Sequence, residues 1–216
     1  IENIRNIRLK VPLEVYSIDG RLIAQFGNHK RIPVTIDHVP KTLINAITAA
    51  EDDRFFHHYG IDMTGVARAL IANIRSGDIS QGASTITMQV ARNYFLSREK
   101  TYIRKVKEIL LAIKLEQKLS KADILELYIN KIFLGHRAYG FAAAAAIYYD
   151  KPLEQLSLGQ LAVLAGLPKA PSRNNPVTNP ERALKRRNYV LYRMYTLGHI
   201  DKNTYQSTTK KPVNAS

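Results

Sequence analysis

The first residues that could carry chemistry lie in one short stretch, residues 51–60. It reads EDDRFFHHYG and follows an apolar segment that begins near Leu43. A helix that buries one face and ends in carboxylates places those carboxylates at the mouth of a recess. Gly60 is interpreted as the stop signal of that helix. A solvated helix end explains this stretch alone more simply, and the motifs further along the chain favour a site.

A second carboxylate, Glu108, follows Arg104 by four residues on a helix that we predict from about residue 98 to residue 118. Arg104 and Glu108 lie on its far side, beside Leu111, Ala112 and Leu115. A face that mixes an ion pair with apolar residues indicates a helix that packs on one side and lines a cleft on the other. An ordinary i,i+4 salt bridge, worth about 0.3 kcal/mol, is the simpler alternative. The buried stripe is expected to consist of Ile103, Val106, Ile109, Leu110 and Ile113.

A polar loop of small residues, 81–89, lies between these carboxylates and leads into a helix. The free backbone N–H groups at the start of such a helix predict an anion site, with Arg92 on the same side. Ser84 and Thr85 could equally be simple helix caps. The helix has one wholly polar face, formed at i, i+4, i+7 and i+8 by Thr85, Gln89, Arg92 and Asn93.

The elements before this loop are two strands and two helices. Val11–Ile18 and Arg21–Phe26 alternate as strands around Asp19-Gly20, a two-residue hairpin signal. One helix ends at Glu51, and a second covers residues 62–75. The face of the second helix that we expect to be buried consists of Met63, Val66, Ala67, Leu70, Ile71 and Ile74.

The second half of the chain is predicted to be helical except for one proline-rich segment. Capping boxes at Ser120–Asp123 and Ser157–Gln160 begin two helices. In the first of these helices we expect Ile124, Leu125, Tyr128 and Ile129 to be buried, with Glu126 and Asn130 on its polar side. Three prolines should keep residues 167–176 from being helical and hold Lys169, Ser172 and Arg173 on a stiff loop. Asn179-Pro180 then begins a last long helix that stops at Gly198.

Composition excludes some kinds of site and favours anionic partners. The 216 residues are 45% hydrophobic and contain no cysteine, so disulfides and thiolate chemistry are excluded. Thirty-two Lys and Arg against 18 Asp and Glu give a net charge of +14, which favours nucleic acid, anionic lipid or phosphorylated substrates. No apolar run reaches the roughly 18 residues of a membrane span. The chain opens at Ile1 without a signal peptide, which predicts a trimmed chain.

Taken in order, these motifs resemble the glycosyltransferase domain of class A penicillin-binding proteins, in glycosyltransferase family 51. Arg92 stands where some members carry Lys. The fourth motif is residues 124–130 with Gly135, and the fifth region is the loop 166–176. The first three motifs are matched by Glu51, Asp52, Phe55, His58 and Gly60, then by Gly82, Ser84, Thr85, Thr87 and Gln89, and then by Arg104, Lys105 and Glu108.

The resemblance implies a mainly α, lysozyme-like, two-lobed helical domain with a small N-terminal β-hairpin. Residues 1–36 would be the linker and hairpin segment. Residues 37–216 would be the glycosyltransferase domain, with a larger lobe and a mobile, membrane-facing small lobe. The hairpin resembles the segment before this domain in bifunctional class A proteins.

The resemblance also implies a peptidoglycan glycosyltransferase that polymerises lipid II into β-1,4 glycan strands with inversion. Glu51 is the expected general base, and Glu108 would orient Arg104, hold a cation or assist the leaving group. His58, Asp52, Glu126 and Asn130 are expected to play supporting roles. The residues expected to bind substrate or pyrophosphate are Ser84, Thr85, Gln89, Arg92, Asn93, Arg104, Lys105, Lys169 and Ser172.

No tightly bound cofactor and no protein-bound metal are expected, although a divalent cation, Mg or Mn, could assist. The expected partners are lipid II, the lipid-linked glycan, an anionic membrane surface and a transpeptidase domain in the same parent chain. The expected location is the outer, periplasmic face of the bacterial inner membrane, with an N-terminal transmembrane anchor absent from this chain.

Two other functions compete with this interpretation, and a catalytically silent scaffold is a third possibility that the presence of both Glu51 and Glu108 disfavours. A lysozyme-like hydrolase or lytic transglycosylase would also use an acidic Glu, but it has no use for Arg104, Lys105 and Lys169 at a pyrophosphate. A basic nucleic-acid-binding module would explain the charge but not Glu51 and Glu108, because carboxylates repel phosphates. We therefore expect no nucleic-acid partner.

Overall fold

The structure is a computed structural model that describes residues 13–26, 30–76, 84–96 and 101–215. These residues are mainly helical, as predicted. No helix among them is long and apolar enough to cross a membrane. Two strands, β1 (Leu13–Tyr16) and β2 (Leu22–Phe26), precede the helices. The helices are α1 (Lys41–Glu51), α2 (Met63–Ser76), α3 (Ile86–Phe95), α4 (Tyr102–Glu116), α5 (Lys121–Lys131), α6 (Phe141–Tyr149), α7 (Leu158–Gly166), α8 (Pro180–Thr196) and α9 (Lys202–Thr209).

Strands β1 and β2 pair antiparallel, with Leu13 opposite Phe26. The connection between them is longer than the predicted two-residue turn. Ser17 explains the difference, because its hydroxyl donates to the Arg21 carbonyl and accepts from the Arg21 N–H at 3.1 and 3.0 Å. These bonds end β1 at Tyr16 and place Ile18 in the turn.

The described residues divide into two compact units. The first unit comprises residues up to Ala50 together with Ile129–Ser216, and the second unit comprises Glu51–Tyr128. In the first unit α7 packs against α8 and α6. The alanines of α6 are buried from Ala142 to Ala145, and their small side chains allow close contact between helices.

Tyr148 connects two loops of the first unit. Its hydroxyl donates to the Leu134 carbonyl at 2.9 Å and accepts from Asn175 Nδ2 at 3.1 Å. Burial raises the pKa of Tyr148 to about 12, so the phenol keeps the proton that it donates. An added Cβ at Gly135 would lie 2.7 Å from the same hydroxyl, which explains why this position has no side chain.

The prediction that residues 167–176 contain no helix is wrong for the first three residues. Leu167–Lys169 form a 3-10 turn directly after α7. Pro168 fits there because the first turn of a helix leaves its N–H groups unbonded in any case. Lys169 is therefore held at the end of a short helical turn and Ser172 in the turns that follow, and both are exposed.

The second unit exposes the apolar faces that we expected it to bury. On α4 the buried side carries Glu108, Ala112 and Leu115, which are each 0% exposed, whereas Ile103 is 70% exposed. The predicted buried stripe of α4 is therefore wrong. Apolar residues occur on both sides of the helix, and α3 packs against the side that carries Glu108, Ala112 and Leu115. The same error holds for α2, whose exposed large apolar residues are Met63, Val66, Leu70, Ile71 and Ile74.

The predicted buried apolar residues of α5 and both capping boxes are confirmed. Ile124, Leu125, Tyr128 and Ile129 are all buried. Ser120 and Asp123 exchange backbone-to-side-chain hydrogen bonds at 2.9 and 3.1 Å, and Ser157 with Gln160 caps α7 in the same way. These elements depend on local contacts, so the sequence pattern was sufficient.

A buried arginine holds the last described segment onto α8. Arg187 is 2% exposed, and its guanidinium donates to the carbonyls of Thr209, Lys211 and Pro212 at 3.0, 2.7 and 3.2 Å.

Arg187→Met keeps the aliphatic stem and removes the donors, so we expect the free energy of unfolding to fall by about 2–4 kcal/mol. Thermal or denaturant unfolding measures this loss. Arg182→Met, at an exposed position of the same helix, is the control, and equal stability of the two variants would contradict the assignment.

Candidate functional site

Glu51 is the last residue of α1 and is half-buried. Its Oε2 accepts a hydrogen bond from Nε2 of Gln89 at 3.1 Å. Gln89 is buried on α3, so its amide group has a fixed position. The structure thus brings together two residues that the sequence assigned to different motifs.

The loop after Glu51 is fixed by a buried contact between Asp52 and His58. His58 Nε2 lies 2.9 and 3.0 Å from the two carboxylate oxygens of Asp52, and Asp52 Oδ2 also accepts from the Ile86 N–H at 3.0 Å. The predicted anion site at the start of α3 is therefore taken by a carboxylate of the protein itself. This geometry is that of an imidazole that holds the loop in place.

Gly60 does not end the helix, contrary to the sequence interpretation, because α1 already ends at Glu51. Gly60 has φ +89°, and an added Cβ would lie 2.9 Å from the carbonyl carbon of Ala112 on α4. A glycine is needed here for both reasons. Close approach to α4 therefore explains this position.

Thr85 is the N-cap of α3. Its hydroxyl oxygen accepts from the Met88 N–H at 3.1 Å, and its hydrogen is donated to the Gly60 carbonyl at 2.6 Å. No hydroxyl hydrogen then remains for a substrate oxygen. The structure accordingly favours the capping alternative for Thr85.

Glu108 lies fully buried between two cationic side chains of α4. Arg104 Nη1 donates to its Oε2 at 3.1 Å and Lys105 Nζ donates to its Oε1 at 2.8 Å. Lys105 Nζ also donates to the hydroxyl of Ser84 at 2.8 Å. The cluster of Ser84, Arg104, Lys105 and Glu108 carries one more positive than negative charge. The i,i+4 pair is thus part of a larger buried arrangement, in which the Lys105 side chain remains 41% exposed.

Arg92 and Asn93 are half-buried on the last turns of α3. Neither side chain makes a hydrogen bond or an ion pair to any part of the chain that the structure describes. Among the described residues, these side-chain donors have no partner within the protein. Arg92 would supply the charge and Asn93 a neutral donor.

The remaining predicted residues are placed as follows. Lys169 and Ser172 are exposed in the first unit, and Glu126 is half-buried on α5. Asn130 is buried, and its side chain accepts from the Val34 N–H at 2.9 Å and donates to the Val34 carbonyl at 2.7 Å. Asn130 thus pairs with the Val34 backbone as a neighbouring strand would.

Sequence reasoning missed Glu116 and Lys121, which contact both the loop after Glu51 and α3. Lys121 Nζ donates to the His58 carbonyl at 2.6 Å, and Glu116 accepts from Thr87 at 2.6 Å. Lys121 lies inside the Ser120–Asp123 capping box and was interpreted only as part of a helix start. Glu116 and Lys121 are five residues apart and lie on different helices. Their ion pair therefore does not have the i,i+3 or i,i+4 spacing by which a pair within one helix is recognised in a sequence.

Comparison with known proteins decides the family. Residues 19–195 match the family described as transglycosylase, which is most of the chain. The chain belongs to the transglycosylase family. The predicted resemblance to glycosyltransferase family 51 and the predicted enzyme class, a peptidoglycan glycosyltransferase domain, are confirmed.

This transglycosylase domain is similar to part of several longer proteins. It is 52% identical over 216 residues to penicillin-binding protein 1A of Pseudomonas aeruginosa and 50% identical over 216 residues to that of Escherichia coli, in each case over 100% of this chain. It covers only 26% and 25% of those proteins, so the chain spans about a quarter of their length.

A solved structure supports the same assignment. The crystal structure of penicillin-binding protein 1A from Haemophilus influenzae matches 97% of this chain and 22% of its own, with a TM-score of 0.57 and 32% sequence identity. The transglycosylase domain therefore shares its fold with part of that protein.

Proposed function

We propose that this transglycosylase domain joins lipid II units into β-1,4 glycan strands and releases undecaprenyl pyrophosphate, with Glu51 as general base. The observation that carries the proposal is the contrast between its two carboxylates. Glu51 is half-buried and accepts from an amide, whereas Glu108 is fully buried between two cations. Two carboxylates in such different surroundings are suited to two different tasks.

The reaction needs a base and a place for the departing charge. The 4-hydroxyl of the acceptor forms a bond to C1 of the donor sugar while the C1–oxygen bond to pyrophosphate breaks. The hydroxyl proton passes to Glu51, and the electron pair leaves with the pyrophosphate. Attack from the face opposite the leaving group turns the α-linked donor into a β-linked product.

The basic side chains of the second unit are proposed to receive the pyrophosphate. Positive groups placed where charge develops stabilise the transition state more than the ground state. Lys105 and Arg92 can meet an anion directly, and Glu108 orients Arg104 and Lys105 through the bonds described above. Gln89 would hold Glu51, and Lys169 and Ser172 remain proposed substrate contacts of the first unit.

A divalent cation does not fit the buried carboxylate. Both oxygens of Glu108 already accept from ammonium or guanidinium groups, whereas Mg²⁺ needs oxygen ligands free of such partners. Within the described residues, no group of three or more His, Cys, Asp or Glu is arranged as a metal site.

We further propose that the domain works at the outer face of the bacterial inner membrane. Its charge of +14 attracts anionic lipid, and α2 and α4 carry exposed apolar side chains. The double replacement of Ile103 and Leu110 by Ser should weaken binding to vesicles with anionic lipid at least about 10-fold, since two exposed apolar side chains that would insert into the bilayer are lost. Replacement of Val177 and Leu197 by Ser, also exposed, is the control, and equal binding of the two double variants in vesicle sedimentation would contradict this surface assignment.

The longer protein is proposed to be a bifunctional class A penicillin-binding protein with a transpeptidase domain and an N-terminal membrane anchor. The similarity to parts of penicillin-binding protein 1A supports this proposal. Within it, residues 37–216 would form a lysozyme-like glycosyltransferase domain of two lobes, preceded by the linker and hairpin segment 1–36.

One experiment separates this function from its rivals. The chain is given labelled lipid II in detergent, finished glycan strands, or duplex DNA in separate reactions. The proposal predicts glycan polymer from lipid II, intact glycan strands and no steeply salt-dependent DNA binding. Cleavage of finished strands without polymer would indicate a hydrolase, and salt-dependent DNA binding without polymer would indicate a nucleic-acid-binding module.

A further inference from the structure

A buried ion pair joins the end of α4 to the start of α5. Lys121 Nζ donates to Glu116 Oε1 at 2.7 Å, and the two side chains are 22% and 4% exposed. The same ammonium donates to the His58 carbonyl at 2.6 Å and lies 4.4 Å from the centre of the Phe55 ring. Lys121 thus holds both ends of the 3-10 turn Phe55–His57 in the loop after Glu51.

Glu116 extends this contact to α3. Its Oε1 also accepts from the Thr87 hydroxyl at 2.6 Å. Thr87 lies two residues before Gln89, whose amide holds Glu51 at 3.1 Å. One carboxylate oxygen therefore connects α3 to the ammonium that fixes the loop.

We propose that Lys121 and Glu116 are positioning residues that set the distance between Glu51 and Gln89. Glu51 is attached to the loop, and Gln89 is attached to α3, and the ion pair holds both segments. The inference rests on the proposed function, because it assigns a role in the reaction to contacts that touch no substrate. Loss of the pair should misplace the base by a fraction of an ångström to about one ångström, and misplacement of that size can reduce a rate about 100-fold.

The alternative is an ion pair that serves stability alone. Removal of Lys121 by itself cannot distinguish the two, because it leaves Glu116 as an uncompensated buried charge and destabilises the fold in either case. The double variant Lys121→Met/Glu116→Gln can distinguish them. It removes both charges together, and the amide oxygen that replaces the carboxylate can still accept from the Thr87 hydroxyl, so most of the lost stability should return.

The test compares wild type, Lys121→Met, the double variant and the control Lys118→Met, whose exposed lysine lies three residues away. Unfolding temperature, kcat and KM for lipid II polymerisation are measured for each. We expect the double variant to unfold close to wild type while its kcat stays about 10- to 100-fold low and its KM changes less than about threefold. Lys118→Met should match wild type in all three values. Recovery of kcat together with stability in the double variant would overturn the inference.

Amide hydrogen exchange tests the same contacts without catalysis. In the double variant, residues 52–60 should exchange at least about 10-fold faster than in wild type and in Lys118→Met, because the ammonium no longer holds the His58 carbonyl. Unchanged exchange there would overturn the inference, even if the wild type proved inert on lipid II. Inert wild type with accelerated exchange would instead refute only the proposed function.

Discussion

Glu51→Gln is expected to reduce glycan polymerisation at least about 1,000-fold, because an amide cannot accept the proton of the attacking hydroxyl. The substitution keeps the shape of the side chain and an oxygen that can accept from Gln89 Nε2. Binding of the lipid-linked substrate should therefore stay within about threefold of wild type. Single-turnover rates and equilibrium binding of lipid II separate these two effects.

The matched control for this prediction is Glu154→Gln, at an exposed position of the 3-10 turn Leu153–Gln155 in the first unit. It makes the same chemical change at a residue that is not among the proposed site residues, and it should leave the rate unchanged. If Glu51→Gln retained the wild-type rate, Glu51 would not be the base. If it lost binding and rate equally, its role would be substrate contact.

Glu108→Gln is expected to reduce kcat/KM about 100-fold and to lower the free energy of unfolding by about 1–3 kcal/mol. The buried carboxylate is the common partner of Arg104 and Lys105. Without its charge the two cations repel each other and no longer hold one orientation toward a pyrophosphate. Some activity should remain, since both cations are still present. Steady-state kinetics and thermal unfolding measure the two losses.

Glu181→Gln, exposed on the first turn of α8, is the control for the buried carboxylate. A Glu108→Gln variant that was less stable but as active per folded molecule as wild type would show that the carboxylate only supports the fold. A variant with the rate loss of Glu51→Gln and unchanged stability would point instead to direct participation in the reaction.

Local signals predicted α5 and its capping box well. Ser120 and Asp123 are three residues apart and form hydrogen bonds with each other, so their contact can be predicted from the local sequence pattern. The same holds for Ser157 and Gln160 at α7. In these elements the local pattern and the packing agree.

The sequence could not tell which face of α2 and α4 is buried. Helical periodicity identifies an apolar face but not the element that covers it. On α4 the residues beside Glu108 were also apolar, and that side packs against α3, whereas Ile103 and Leu110 remain exposed. Soluble proteins rarely expose large apolar faces, but such faces are expected in a chain that is proposed to work at a membrane.

The contacts within the proposed site could not be predicted from the sequence. The motifs proposed Glu51, Gln89 and Glu108 by residue type, and the structure shows that Glu51 accepts from Gln89, whereas Glu108 accepts from Arg104 and Lys105. The bond from Lys121 to the His58 carbonyl spans 63 residues, and no local pattern indicates it. Contacts of this kind depend on the tertiary fold.

In the proposed reaction, bond formation and pyrophosphate departure are one displacement that needs Glu51. The most direct test measures both products, glycan bonds formed and undecaprenyl pyrophosphate released, in the same reaction of labelled lipid II with wild type and Glu51→Gln. We expect equal amounts of the two products at every time with wild type, and neither product with Glu51→Gln. Release of pyrophosphate without glycan bonds, or undiminished bond formation by Glu51→Gln, would contradict it.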